Sequence, residues 1–144
     1  MRRGRVVCAV AGVLVACAVV AVPVGVVWSA SIVGGPGAQV LIGTDGDDEI
    51  RGLAGSDELH GRGGSDTLDG GVGSDELRGD DGNDVGIGGT GADWFHGGAG
   101  HDGFDGDAGG DDARGGDGQD ALSADIGNDS LHGEAGNDVL WSLS

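Results

Sequence analysis

The sequence predicts an all-β chain: a two-sheet solenoid with 18 residues per coil, behind an N-terminal hydrophobic segment. Three observations predict it. Aspartate recurs every nine residues, at Asp48, Asp57, Asp66, Asp75, Asp84, Asp93, Asp102, Asp111, Asp120, Asp129 and Asp138. A glycine stands two residues before each, from Gly46 to Gly136. An apolar residue closes most of the nine-residue units, so each unit has one side chain to offer a shared core.

The first element is the leader. Met1 to Arg5 is basic, and an uncharged Val/Ala-rich run from Val6 to Val27 follows it. Residues 1–31 read as a secretory signal peptide, with Ala16-Cys17-Ala18 or Ser29-Ala30-Ser31 as small-residue cleavage sites. The 22-residue run is also long enough to serve as a retained membrane anchor, and Leu14-Val15-Ala16-Cys17 has the look of a lipidation site. Both cysteines, Cys8 and Cys17, lie in this leader, so disulfides do not hold the remainder together. Residues 32–41, with Gly34-Gly35-Pro36-Gly37, read as a flexible linker.

From Ile42 to Leu140 the chain is eleven units in unbroken phase: IGTDGDDEI, RGLAGSDEL, HGRGGSDTL, DGGVGSDEL, RGDDGNDVG, IGGTGADWF, HGGAGHDGF, DGDAGGDDA, RGGDGQDAL, SADIGNDSL and HGEAGNDVL. The second position is glycine except at Ala124, the fifth is always glycine, the seventh always aspartate. Glycines at fixed places make each G-x-x-G-x-D a tight turn, and the apolar ninth residue with its two neighbours makes a short strand. One such unit buries nothing alone, but stacked units do, and a fixed period makes a solenoid. Two units per coil place each repeat above the next but one, with neighbouring strands about 4.8 Å apart.

The inward residues then form two columns. One holds Ile50, Leu68, Gly86, Phe104, Leu122 and Leu140; the other holds Leu59, Leu77, Phe95, Ala113 and Leu131. Each column has one undersized member, and each of these lies beside one of the chain's two phenylalanines. That complementarity supports the 18-residue stacking independently of the aspartates.

Composition sharpens the problem. The chain has 35 glycines, five aromatic residues and no lysine, too little bulk for a conventional core. All 25 acidic residues lie between Asp45 and Asp138, opposed by Arg51, Arg62, Arg78 and Arg114, so the repeats carry −21. Such a charge repels nucleic acid and anionic membranes, and it opposes compaction unless counter-ions bind.

These units resemble the G-G-x-G-x-D-x-U-x nonapeptides of the RTX (haemolysin-type) calcium-binding proteins. The resemblance spans residues 42–140, with a short C-terminal cap at 141–144. It implies a parallel β-roll with Ca²⁺ held between the turns of repeats i and i+2, by the eleven seventh-position aspartates and turn carbonyls. The donor chemistry agrees: Ca²⁺ takes six to eight oxygens in irregular geometry, whereas Zn²⁺ or Cu²⁺ wants His or Cys, which the turns scarcely offer. Pairing along the columns Asp48-Asp66-Asp84-Asp102-Asp120-Asp138 and Asp57-Asp75-Asp93-Asp111-Asp129 caps the sites at nine, enough to leave the repeats at about −3.

Remaining polar residues have structural readings. His60, Arg78, His96, Arg114 and His132 recur at 18-residue steps, and local pairing of Glu58 with His60, Glu76 with Arg78 and Asp112 with Arg114 is favoured over an anion-binding ladder. His101 is expected in a turn, and Trp94 outward beside His96. No catalytic constellation is present, so no enzyme is expected. The expectation is an exported calcium-binding protein that folds on binding and acts as a structural or interaction module outside the cell or at its surface. The alternative is an accessory module for a separate secreted hydrolase. Calcium ions are the expected partners, with an extracellular protein or surface beyond them; membrane contact is confined to an uncleaved leader.

Overall fold

The apolar ninth position, the glycine at position two and the aspartate at position seven alternate on the inside of every coil. That alternation puts one strand and one turn in each repeat. The computed structural model describes residues 5–9 and 29–143. Its strands are β1 (Arg5–Ala9), β2 (Ser29–Val33), β3 (Val40–Ile42), β4 (Glu49–Ala54), β5 (Glu58–Gly63), β6 (Thr67–Val72), β7 (Glu76–Asp81), β8 (Val85–Thr90), β9 (Trp94–Gly100), β10 (Gly103–Ala108), β11 (Asp112–Gly118), β12 (Ala121–Ala124), β13 (Ser130–Gly136) and β14 (Val139–Ser142). One sheet runs β1-β2-β4-β6-β8-β10-β12-β14, the other β3-β5-β7-β9-β11-β13. Every pairing is parallel, and from β2 onward it joins residues 18 apart, as in Ile50↔Leu68 and Leu59↔Leu77. The expected two-sheet solenoid is the fold.

Three expectations need correction. The strands are longer than an apolar residue with two neighbours: β4 pairs β6 through Leu53↔Gly71 and Ala54↔Val72. Residues 32–41 are not a linker, because Ile32 pairs with Ile50 and Leu41 with Leu59, so the roll begins upstream of Ile42. The described part of the expected cap, residues 141–143, prolongs a sheet more than it covers its end: Ser123 pairs with Trp141, while Trp141 and Leu143 stay exposed. The hydrophobic helix or signal expected in residues 1–31 falls largely outside the described residues. Among the described residues no helix is long and apolar enough to cross a membrane.

The core is the predicted pair of columns. Ile50, Leu59, Leu68, Leu77, Phe95, Ala113 and Leu122 are fully buried and Phe104 nearly so, joined at the N-terminal end by Ala30, Ile32 and Leu41. Burial fails toward the other end, where Leu131 is partly buried and Leu140 is 43 % exposed. Phe104 lies beside Gly86 and Phe95 beside Ala113, as the columns require. The two rings also stack on each other from opposite sheets, 4.9 Å between centroids and 12° from parallel. A Cβ on Gly86 would sit 2.6 Å from two atoms of the Phe95 ring, so the space that glycine leaves is taken from across the core.

Glycine at position five has a different cause. A Cβ on Gly73, Gly82, Gly91 or Gly100 would overlap the carbonyl oxygen of the equivalent glycine one coil earlier. Position three is left-handed in nine repeats, and in five of these the residue is not glycine: Leu53 (φ 80°), Arg62 (84°), Asp80 (72°), Asp107 (57°) and Glu134 (69°). Thr44 and Asp125 are the third-position residues of the eleven repeats without that conformation.

The Phe–Gly complementarity predicts a coupled pair. Gly86→Ala alone should destabilise the calcium-loaded roll by about 1–3 kcal/mol through overpacking. In a Phe95→Leu background the same change should cost about 1 kcal/mol less, as read by a denaturation double-mutant cycle. Strict additivity would contradict this packing.

Candidate metal centre

Because position seven lies inside the coil, the carboxylates are core groups. Asp48, Asp57, Asp66, Asp75, Asp84, Asp93, Asp102, Asp111 and Asp120 are each no more than 4 % exposed. Asp129 and Asp138, in the last two repeats, are only half-buried. The structure therefore brings the eleven predicted residues into two columns, but does not treat them alike.

The two oxygens of each carboxylate have separate fates. Oδ1 accepts the backbone N–H of the seventh-position residue one coil earlier: Asp48 N to Asp66 Oδ1 is 2.7 Å, Asp84 N to Asp102 Oδ1 is 2.8 Å, and Asp120 N to Asp138 Oδ1 is 3.1 Å. The other column repeats the pattern from Asp57 N to Asp75 Oδ1, 2.7 Å, to Asp111 N with Asp129 Oδ1, 3.1 Å. Oδ2 is buried without a hydrogen-bond partner in Asp57, Asp66, Asp75, Asp84, Asp93, Asp102, Asp111 and Asp120. A buried carboxylate oxygen with no donor is costly, and a cation removes that cost.

What faces these oxygens is backbone. The point where a Cβ on Gly52 would lie is 2.6 Å from Asp57 Oδ2 and 2.6 Å from the carbonyl oxygen of Gly70 in the next coil. Gly88 repeats this with Asp93 Oδ2 at 2.7 Å and Gly106 O at 3.1 Å. Position two is glycine because the carboxylate folds back over it and a carbonyl approaches from the next coil. Among the described residues no group of three or more His, Cys, Asp or Glu side chains could hold a metal. A site here must draw on carbonyls, which suits a hard cation and not zinc.

The exception at position two is instructive. Ala124 replaces that glycine; its Cβ is the atom nearest the Gly106 cradle after the Asp111 carboxylate, at 3.3 Å. Asp129, in the same repeat as Ala124, is partly exposed, and Ser142 Oγ approaches its Oδ2 at 3.5 Å. Asp138 is half-buried too although Gly133 keeps its position two, so the exposure of both carboxylates belongs to the end of the stack, and repeat SADIGNDSL differs in having a methyl group where the other repeats leave the cradle open.

Outside the columns, His101 takes the turn place expected of it, its Nδ1 accepting the Gln119 N–H at 2.9 Å. Glu58 meets His60 at 2.7 Å and Glu76 meets the Nε of Arg78 at 2.7 Å. Arg114 pairs with Glu134 at 3.6 Å in place of the expected Asp112. Trp94 stacks on His96 while Arg78 lies over its ring.

A parallel solenoid with a column of half-satisfied carboxylates along each edge defines a repeat protein built to bind hard cations. The family model of the RTX calcium-binding nonapeptide repeat matches four times, at residues 33–68, 42–77, 78–113 and 114–144. The chain belongs to that family, whose repeats bind Ca²⁺. No curated protein and no solved structure matches it.

Burial, opposed by the backbone N–H bond and reinforced by neighbouring carboxylates, pushes Asp66 up to about 7 and Asp84 and Asp93 up to about 6. Asp57, Asp75, Asp102 and Asp111 are raised too, with burial again foremost. An unfolded aspartate titrates near 3.9, so between about pH 4 and pH 7 the folded metal-free chain holds more protons than the unfolded one. Its stability is therefore greatest at the acid end and is lost as pH rises through that window. Above about pH 5 the unfolded chain is already ionised, so calcium folding it displaces no protons, while protonation favours the folded metal-free chain; the calcium midpoint of folding should therefore be no higher at about pH 5.5 than at about pH 7.5. Circular dichroism titrations at the two pH values read this, and a midpoint that rises on acidification would contradict it. Separately, Ala124→Gly should restore the glycine cradle in the repeat of Asp129 and lower the calcium concentration at the folding midpoint; a higher or unchanged midpoint would mean that the methyl group does not hinder that site.

Proposed function

We propose that this chain is an exported, non-catalytic module that folds when calcium fills its aspartate columns and then presents a rigid two-sheet roll to a partner outside the cell or at its surface. The observation that carries the reading is the set of eight buried Oδ2 atoms without a donor. Each belongs to an aspartate with another one coil further on, so the filled array holds eight ions, from Asp57–Asp75 to Asp120–Asp138. The pairing of all eleven aspartates alone allowed nine; the difference is Asp48, whose Oδ2 accepts the Thr44 N–H and Oγ1–H.

In this reading each ion is held by the Oδ2 of one aspartate, a carboxylate oxygen from its column neighbour and turn carbonyls such as that of Gly70. The ion supplies the positive charge that the interior lacks, and the chain supplies fixed oxygens. Extracellular calcium modules bind on the order of 10⁻⁴ to 10⁻³ M, so the chain stays open in a low-calcium cytosol and closes outside. The leader supports export. Processing after Ala18 keeps β2, whose Ala30 N–H binds Asp48 Oδ1, whereas processing after Ser31 removes that contact.

The test is a calcium titration of the purified chain by circular dichroism and calorimetry, with magnesium as control. A β spectrum should appear only with calcium. Asp84→Asn should lose about two ions, since each carboxylate serves the coils on both sides, while the Asp57 column still fills. A full spectrum in chelator would sink the folding switch, and equal loss from both columns would sink the pairing scheme.

A further inference from the structure

The first described coil departs from the rest in three ways. The nine-residue phase runs upstream of Ile42 as VGGPGAQVL, residues 33–41, with Gln39 where every later repeat has aspartate. In the other column the equivalent place is taken by Ala30, which has no side-chain oxygen. From Ser29 to Thr44 the chain carries no charged residue at all.

Gln39 nonetheless reproduces the aspartate's contacts. Its N–H donates to Asp57 Oδ1 at 2.8 Å, the inter-coil bond made elsewhere by aspartate N–H groups. The point where a Cβ on Gly34 would lie is 2.5 Å from Gln39 Oε1 and 2.5 Å from the Gly52 carbonyl, the same cradle as at Gly52. The difference is that Oε1 is satisfied: it accepts the Gly35 N–H at 2.9 Å. Asp48 is satisfied likewise, by the backbone N–H and hydroxyl of Thr44 on one oxygen and the Ala30 N–H on the other. In both repeats a third-position N–H points to the oxygen that is left without a donor in the coils beyond.

We propose that residues 29–50 form a metal-independent first coil, with Gln39 as a neutral replacement for a calcium-binding aspartate, and that this coil is the template on which the calcium-dependent coils stack. The inference rests on the reading that the later aspartates hold calcium. It follows from charge and burial together. The coil turns Ala30, Ile32, Leu41 and Ile50 inward, where they are buried at the start of the shared core. Between Ser29 and Thr44 it has no like charges to separate, and Pro36 in its turn reduces the disorder lost on folding. Stacked repeats gain from their nearest neighbours, so a first coil formed without metal gives the next one a surface to fold on.

Gln39→Asp and Gln39→Ala test it, by calorimetric ion count and by the calcium midpoint of folding. Gln39→Asp should bind one more ion than the wild type and need more calcium to fold, because it adds to the first coil a second inward carboxylate, beside Asp57. Gln39→Ala should leave the count unchanged and weaken the loaded roll, having lost the acceptor for Gly35. In the wild type, amide exchange during the titration should protect Gly35, Gln39 and Thr44 at calcium concentrations no higher than any other turn amide. A wild type that binds calcium, with Gln39→Asp unchanged in count and midpoint or with those amides protected last, overturns this inference alone. A wild type that binds no calcium overturns the reading of the aspartates and this inference with it.

Discussion

Everything in this roll depends on burying a carboxylate at the same place in each coil. An isolated buried charge is among the most expensive things a protein can contain, and nine of them lie at 4 % exposure or less. Half of that cost is met by the chain, because each Oδ1 takes a backbone N–H from the coil before it. In eight of the nine the other half is left to a cation, since Oδ2 is buried without a donor; in Asp48 it is met by Thr44. The division explains why one residue both staples coils together and makes them dependent on metal. The staple runs through the carboxylate, so a coil cannot keep its inter-coil bond and avoid its charge.

The glycines follow from that geometry. Position two is glycine because the carboxylate lies over it, position five because a carbonyl one coil away occupies the space a Cβ would need. Position three is under less pressure. It must turn left-handed but points outward, so Leu53, Arg62, Asp80, Asp107 and Glu134 are tolerated there at about 1–2 kcal/mol each. A sequence so rich in glycine therefore specifies one structure: the residues are small where neighbouring backbone or carboxylate leaves no room.

Much of this was legible in the chain. The nine-residue phase gave the 18-residue register, and the undersized Gly86 and Ala113 beside Phe104 and Phe95 gave the core order. The features that do not repeat in type are not legible. Residues 33–41 look like a linker because Gln39 breaks the aspartate pattern and Pro36 sits in a glycine cluster, yet Gly34, Gly37 and Leu41 keep the phase. The separate fates of Oδ1 and Oδ2 are invisible in sequence because Oδ1 depends on a backbone N–H in the neighbouring coil and Oδ2 lies where a carbonyl of the following repeat approaches. Arg114 likewise has Asp112 two residues off, but the side chain it meets belongs to the next strand of its sheet, at Glu134.

The two ends of the stack show what calcium is for. At the N-terminal end residues 29–44 carry no charge, the inward oxygens of Gln39 and Asp48 are hydrogen-bonded, and Ala30, Ile32 and Leu41 are covered. At the other end Asp129 and Asp138 rise toward solvent and Leu131 and Leu140 lose their cover. Between them the coils have similar cores and the same paired carboxylates, so no single coil is much more stable than its neighbours. In such an array order spreads by nearest-neighbour contact. An aspartate shared between two coils makes each ion a coupling between neighbours more than a local weld. The number of ordered coils is then set by calcium and proton activity together, because both act on the same oxygens.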